Sequence, residues 1–219
     1  MYKLAIFDFD GTLVDSAPGI VDVMRDVVIE YNLGDELLQQ WSLLIGVPLL
    51  RQAEILFPEK TPEFHAELAN RYRAIYDTKT IEICPLFPGL LDMLERLHER
   101  DVFMSIASSK RRNLIDTVLE HHNLSQYFKM VVGAQDVEHH KPHPESVLRT
   151  VKDLNIPIAQ TVVIGDSSFD LDMARNAGAD AIGVTTGIHT RELLEKSQPR
   201  HIVSSLDEVT PLILNGRAS

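Results

Sequence analysis

The chain has 219 residues, of which 44% are hydrophobic and 24% are charged, a composition typical of a globular protein with a well-buried core. Its formal net charge of −11 disfavours nucleic acids and anionic membranes as partners. The single cysteine, Cys84, excludes an internal disulfide and favours a reducing, cytoplasmic location, and no apolar run approaches the ~20 residues of a membrane span.

The first predicted element is a buried strand that ends at two aspartates. Residues 4–7, "LAIF", form the continuous apolar run that is typical of parallel strands covered on both faces, and Asp8 and Asp10 follow directly. Two carboxylates this close repel one another, because both are ionised at neutral pH. We therefore expect the pair to serve a cation, or a proton that moves during catalysis.

The next segment, residues 16–81, is predicted to be almost entirely helical. Within it, Thr61 followed by Pro62 is typical of the start of a helix. We expect the segment to form a small all-helical cap domain, inserted after the first strand. Gly46 and Arg51 flank a turn that we expect to face the active site and to contact the substrate.

From Pro88 onwards, predicted helices and strands alternate. Four strands follow helices in this part of the chain, and they read "VFMSIA", "KMVVG", "TVVIG" and "DAIGV". This alternation with short connections indicates a parallel sheet with helices on both faces. The predicted fold class is α/β, with a Rossmann-like three-layer core formed by residues 1–15 and 82–219; the final "NGRAS" is expected to fray.

Polar residues follow the carboxyl ends of the predicted strands, where open α/β sheets bind their ligands. After the first strand's two aspartates, these residues are Ser108, Ser109, Lys110, Lys141, Asp166, Ser167, Ser168 and Asp170. Carboxylates favour a hard cation such as Mg2+, whereas the serines at 108 and 109 and the lysine at 141 are suited to binding phosphate.

An acidic metal site beside an anion site indicates phosphoryl transfer. Asp8 is already ionised and could attack phosphorus directly, forming an aspartyl-phosphate. Asp10 could protonate the leaving oxygen and then accept a proton from the hydrolytic water. Gly11 would let the chain turn sharply, so that the two carboxylates point in different directions. Ser108 and Lys141 would hold the phosphoryl oxygens.

The motifs "DFDGTLVDS", Ser108 after an apolar strand, "KPHPE" and "GDSSFD" resemble, in this order, the four motifs of haloacid dehalogenase-type phosphohydrolases. The helical insert resembles the cap of that superfamily, and "IGVPL" is similar to its phosphoglycolate phosphatase group. The resemblance implies that Asp8 is the nucleophile and Asp10 the acid and base. It also implies that Asp8, the backbone carbonyl of Asp10 and Asp166 ligate Mg2+, with Asp170 as a supporting or additional ligand.

The expected function is therefore a Mg2+-dependent phosphatase acting on a small phosphorylated metabolite. A pyrophosphatase of the same family shares the whole motif pattern. A mutase resembling β-phosphoglucomutase is disfavoured by Gly165, where such enzymes typically carry an acidic residue, and Asp10 argues against a dehalogenase. A non-enzymatic phospho-acceptor domain is least expected. The substrate and the oligomeric state, monomer or homodimer, stay open at this point.

Two further clusters receive structural interpretations. The three basic residues at 110–112, beginning with Lys110, are interpreted as solvated charges at a helix start. His139, His140 and His143 crowd a proline-containing loop, but they lack the spacing of a metal-binding pair on a helix or strand. We therefore expect no transition-metal site there.

Overall fold

The structure is a computed structural model that describes residues 1–216; the part of the predicted terminal fraying that concerns residues 217–219 lies outside the described residues. A parallel six-stranded sheet forms the centre of this part of the chain. Its strands are β1 (Leu4–Phe7), β2 (Phe103–Ala107), β3 (Phe128–Val132), β4 (Thr161–Gly165), β5 (Asp180–Val184) and β6 (His201–Val203). The order across the sheet is β3-β2-β1-β4-β5-β6, and every neighbouring pair is parallel.

Helices cover both faces of this sheet. In chain order they are α1 (Ala17–Glu30), α2 (Asp35–Ser42), α3 (Leu49–Leu56), α4 (Pro62–Thr78), α5 (Thr80–Ile83), α6 (Leu90–His98), α7 (Arg112–His121), α8 (Glu145–Asp153), α9 (Ser168–Ala177), α10 (Arg191–Lys196) and α11 (Leu206–Asn215). Within residues 1–216, none of them combines the length and the apolarity that crossing a bilayer would require. The predicted α/β class and the five predicted strands are confirmed, whereas β6, α10 and α11 are additions to the prediction.

β1 lies in the middle of the sheet, between β2 and β4. Its side chains alternate between two apolar clusters: Ala5 and Phe7 belong to one, and Leu4 and Ile6 to the other. The chain runs outwards from β1 in both directions, which makes its carboxyl end the switch point where open α/β sheets bind ligands. Asp8 and Asp10 follow β1 and therefore enter this crevice.

Helices α1 to α5 occupy the chain between β1 and β2. α1 packs against α2 and α4, and α3 packs against α4. Thr61 caps α4 as predicted, because its hydroxyl accepts a hydrogen bond from the Phe64 N–H at 3.4 Å. The apolar interior of this insert is continuous with the cluster on one face of the sheet. We retain as a proposal the division into a core, residues 1–15 and 82–219, and a cap, residues 16–81.

Candidate active site

Asp8 lies at the bottom of the crevice and is only 5% exposed. Lys141 reaches it from the loop after β3, with 2.7 Å between Nζ and Asp8 Oδ1, and the same ammonium donates to Asp170 Oδ1. Asp170 is fixed in the first turn of α9, where its Oδ2 accepts hydrogen bonds from the Ser167 N–H at 3.1 Å and the Ser167 hydroxyl at 2.6 Å. This helix cap therefore orients the carboxylate that shares Lys141 with Asp8.

Asp166 follows β4 and is also buried. The hydroxyl of Thr12 donates to its Oδ1 at 3.1 Å. Gly11 has a φ of +77°, and a Cβ at this position would lie 2.5 Å from Asp166 Oδ2, so both the turn and the close approach require glycine. The turn predicted at Gly11 is confirmed. Carboxylate oxygens of Asp8, Asp166 and Asp170 all lie within 4.8 Å of one another.

These three aspartates and Lys141 are here called the Asp8 cluster, which contains three buried carboxylates and one ammonium. Burial, reinforced by the carboxylates of Asp170 and Asp10, outweighs Lys141 and raises the pKa of Asp8 to about 7. Burial and the carboxylates of Asp170 and Asp8 raise the pKa of Asp166 well above its ordinary value. Burial alone would lower the pKa of Lys141, but Asp170 and Asp8 more than offset it and raise that pKa.

The Asp8 cluster fits a divalent cation. Although Asp8 Oδ1 is at ion-pair distance from Lys141, the contact lacks hydrogen-bond geometry, and this buried oxygen has no hydrogen-bond donor among residues 1–216. Buried, closely spaced carboxylate oxygens with an excess of negative charge are the ligands that Mg2+ prefers. Asp8, Asp166 and Asp170 are therefore the side chains that could hold such an ion.

Asp10 has a different partner, Lys110. The Lys110 ammonium donates to Asp10 Oδ1 at 2.9 Å and Oδ2 at 3.3 Å, and the lysine side chain is 6% exposed. The same ammonium donates to the Tyr76 hydroxyl and lies 3.7 Å from Cys84 Sγ. The interpretation of Lys110 as a solvated charge is therefore wrong. Asp10, Lys110, Tyr76 and Cys84 are called the Asp10 cluster below.

The two serines after β2 do different things. Ser108 is buried and accepts a hydrogen bond from the Lys110 N–H at 3.3 Å, which leaves its hydroxyl proton for a bound anion. Ser109 instead donates its hydroxyl to the backbone carbonyl of Gly46 at 2.7 Å. This bond links the core to the turn between α2 and α3, so the structure does not favour a phosphate contact from the Ser109 side chain.

A cavity of about 330 Å3 lies between the strand ends and the insert. Asp8, Asp10 and Ser108 line it from the core, and Gly46 lines it from the insert, as predicted for the turn. Arg51 is not brought to this cluster of side chains: it is 63% exposed and its guanidinium contacts Glu54 of the same helix at 2.8 Å.

The neighbouring Gln52 lines the cavity, which the sequence pattern did not indicate. Its amide nitrogen donates to the Val47 carbonyl at 2.7 Å, and its Oε1 accepts from the buried Trp41 indole, also at 2.7 Å. The sequence signal that could have identified Gln52 is the apolar spacing around Trp41, which predicts that the indole is buried. A buried indole N–H usually needs a polar side chain as its hydrogen-bond acceptor. Gln52 thereby holds the turn that carries Gly46.

The histidine-rich loop before Lys141 is held by Glu145. The carboxylate of Glu145 accepts hydrogen bonds from the N–H groups of Glu138 and His139, both at 2.9 Å, and these bonds lower its pKa to about 2. Ligand atoms of His139, His143 and Glu145 lie within 4.8 Å of one another at the surface. Because the Glu145 carboxylate already accepts two backbone hydrogen bonds, we interpret the cluster of His139, His143 and Glu145 as structural.

Comparisons with known proteins agree with this geometry. The family model described as haloacid dehalogenase-like hydrolase matches residues 5–184. The chain is 35% identical to the probable phosphatase IndB of Dickeya dadantii, over 95% of this chain and 92% of that protein. It is 28% identical to the phosphoglycolate phosphatase of Escherichia coli K12, over 94% and 90%. The crystal structure of a predicted phosphatase from Clostridium acetobutylicum superposes with a TM-score of 0.87 at 27% identity, covering 99% of this chain and 100% of that one.

Proposed function

The chain belongs to the haloacid dehalogenase-like hydrolase family, and on that premise we propose that it is a Mg2+-dependent phosphatase for a small phosphomonoester, phosphoglycolate or another phosphorylated metabolite. The observation that carries the proposal is the Asp8 cluster at the carboxyl end of β1, with three carboxylate oxygens within 4.8 Å of one another. The names of the relatives support the same class of reaction. The lone, buried Cys84 suits the reducing cytoplasm, where we expect the reaction to run.

Asp8, Asp166 and Asp170 would hold Mg2+, together with the backbone carbonyl of Asp10 that the family resemblance implies. When bound, the cation supplies the positive charge that screens the Asp8 carboxylate from the negative charge of a phosphate ester. The Lys141 ammonium donates one of its three protons to Asp170 and lies at ion-pair distance from Asp8. A remaining ammonium proton, with the hydroxyl of Ser108, would be available for the phosphoryl oxygens.

In the first step, a carboxylate oxygen of Asp8 attacks phosphorus and the bond to the leaving oxygen breaks. Asp10, which enters this step as the carboxylic acid, gives its proton to that oxygen, so the alcohol departs neutral and an aspartyl-phosphate remains. In the second step, Asp10 takes a proton from water, and the water oxygen attacks the same phosphorus. The bond between phosphorus and Asp8 breaks, inorganic phosphate leaves, and both aspartates return to their starting states. The insert above the cavity would keep bulk water out during the first step.

Gly165 bears on the mutase alternative. A Cβ at this position would lie 2.5 Å from Asp170 Cγ, closer than real side chains approach one another. An acidic side chain of the mutase type would therefore displace the carboxylate that holds Lys141. This supports hydrolysis over phosphosugar isomerisation.

The test is a phosphate-release screen of the purified protein with Mg2+ or EDTA, across phosphoglycolate, sugar phosphates, nucleoside monophosphates and pyrophosphate. We expect Mg2+-dependent release from at least one monoester, and a loss of more than about 10³-fold in Asp8→Asn. Asp153→Asn is the matched control, because Asp153 is exposed on α8 and its carboxylate forms a surface ion pair with Arg149. Release from pyrophosphate alone would indicate the pyrophosphatase, and unchanged turnover in Asp8→Asn would end the proposed mechanism. Interconversion of sugar phosphates without phosphate release, followed by phosphorus NMR, would indicate the mutase.

A further inference from the structure

We propose that Lys110 is a positioning residue: its buried ammonium holds the Asp10 side chain in place, so that Asp10 in its protonated form can transfer the proton to the leaving group. This inference rests on the proposed function, since it assigns a task within that reaction. It concerns the Asp10 cluster, which lies on the side of the crevice where the insert meets the core.

The contacts of the ammonium carry the first step of the argument. Lys110 Nζ donates to Asp10 at 2.9 Å, donates to the Tyr76 hydroxyl, and contacts Cys84 Sγ at 3.7 Å. An ammonium has three protons, so these partners use all of its donors. Lys110 therefore has no donor left for a substrate, and its influence on the reaction must pass through Asp10.

The enclosure of Lys110 is the second step. Its Nζ lies 4.4 Å from the centroid of the Tyr76 ring and 5.6 Å from that of Phe9. The side chain of Lys110 is 6% exposed and that of Asp10 is 17% exposed, and both residues line the cavity. The ammonium is thus held by its partners at the edge of the cavity, next to the carboxylate that faces the substrate space. A charge buried in this way costs free energy, which argues that the pair has a task beyond stability.

The basicity of the leaving group determines how strongly kcat/KM depends on the position of Asp10. An alkoxide is a strong base and needs a proton in order to leave, whereas 4-nitrophenolate is a weak base and leaves as the anion. The parameter kcat/KM reports only the steps up to loss of the leaving group, which is the first irreversible step. A defect in positioning Asp10 should therefore lower kcat/KM for alkyl phosphates and spare it for aryl phosphates.

The experiment measures kcat/KM of Lys110→Met for 4-nitrophenyl phosphate and for the alkyl monoester that the wild type cleaves fastest in the screen. We expect a loss of about 10²-fold on the alkyl ester and less than about 3-fold on the aryl ester. Asp10→Asn should show the same selectivity, and the double variant should be no worse than Asp10→Asn, because both substitutions remove one function.

Three outcomes would overturn the inference: equal losses on both esters, a rise in KM with kcat unchanged, or additive losses in the double variant. Tyr76→Phe provides a second test that leaves both charges in place, because it removes only the hydroxyl that contacts Lys110 and Cys84 Sγ. It should lower kcat/KM about 3- to 10-fold on the alkyl ester alone, and no change or an equal change on both esters would contradict the inference. A wild type without Mg2+-dependent phosphate release would instead refute the proposed function.

Discussion

Asp8 and Asp10 lie two residues apart and each pairs with a lysine at similar distance, 2.7 Å to Lys141 and 2.9 Å to Lys110, yet the two pairs have opposite surroundings. In the Asp8 cluster, one ammonium pairs with two of three buried carboxylates, those of Asp8 and Asp170. In the Asp10 cluster, the pair is surrounded by a phenol and a thiol whose pKa values are raised, chiefly by burial, so both stay neutral. The first cluster carries an excess of negative charge that suits a cation, and the second is balanced, which suits a carboxylate that must be held in one place.

The largest expected effect comes from removing the two lysines in turn. Lys141→Met leaves three buried carboxylates without their ammonium, and we expect the free energy of unfolding at pH 8 in EDTA to fall by about 3–5 kcal/mol. Lys110→Met should cost clearly less, because Asp10 faces the cavity and can be hydrated there. Urea unfolding followed by fluorescence measures both, with Lys152→Met as the control because Lys152 is an exposed residue of α8. Equal losses in the two variants would remove the distinction between the clusters.

Magnesium should separate the clusters next. At 100 times its dissociation constant, Mg2+ should stabilise the wild type by about 2.7 kcal/mol. Asp166→Asn should lose most of this stabilisation, whereas Asp10→Asn should keep it, because only the backbone carbonyl of Asp10 is an expected ligand. Urea unfolding with and without Mg2+ checks both variants. Equal stabilisation of Asp166→Asn and the wild type would contradict the assignment of the cation to the Asp8 cluster.

The same contrast explains which parts of the site could be predicted from the sequence. The sequence predicts that one site contains Asp8, Lys141, Asp166 and Asp170. Each of them follows a strand of a parallel sheet, and the carboxyl ends of such strands meet at one edge. That topology brings them to one crevice, and local contacts such as the Ser167 cap on Asp170 then orient them.

The burial of Lys110 cannot be predicted from the sequence, because it depends on contact with the insert. Tyr76 on α4 and Cys84 after α5 enclose the lysine side chain. They precede Lys110 by 34 and 26 positions, and no sequence periodicity predicts contacts over such separations. β6 was missed for a related reason: three residues are too few to show a strand pattern, and its position is set by pairing with β5.

A smaller effect is expected in the pH dependence of the metal-free protein. Burial, ahead of the neighbouring carboxylates, raises the pKa of Asp8 from 3.8 to about 7. Between about pH 4 and pH 7 the folded state therefore keeps a proton that the unfolded state has lost, so the free energy of unfolding decreases as the pH rises through this window. The slope approaches about 1.4 kcal/mol per pH unit at most.

Urea unfolding in EDTA at a series of pH values measures this slope, and Asp8→Asn is the reference because it lacks the titrating group. Asp10→Asn should keep the decline, since it leaves the three carboxylates of the Asp8 cluster in place. A wild type whose stability runs parallel to that of Asp8→Asn from pH 4 to pH 7 would show that Lys141 already neutralises Asp8, and the charge excess would then lie elsewhere in the cluster.

The smallest effects concern the contact of the insert with the core, on the side of the Asp10 cluster. Ser109→Ala removes the 2.7 Å bond to the Gly46 carbonyl, and a bond worth about 0.5–1.5 kcal/mol corresponds to a loss of about 2- to 10-fold in kcat/KM. Arg51→Ala should change kcat/KM by less than about 2-fold, because its ion pair with Glu54 is exposed. Neither variant should alter stabilisation by Mg2+. A greater loss in Arg51→Ala than in Ser109→Ala would mean that α3 turns its arginine towards the substrate, as the sequence suggested. Selection of the leaving group would then depend more on the insert than on the pair formed by Asp10 and Lys110.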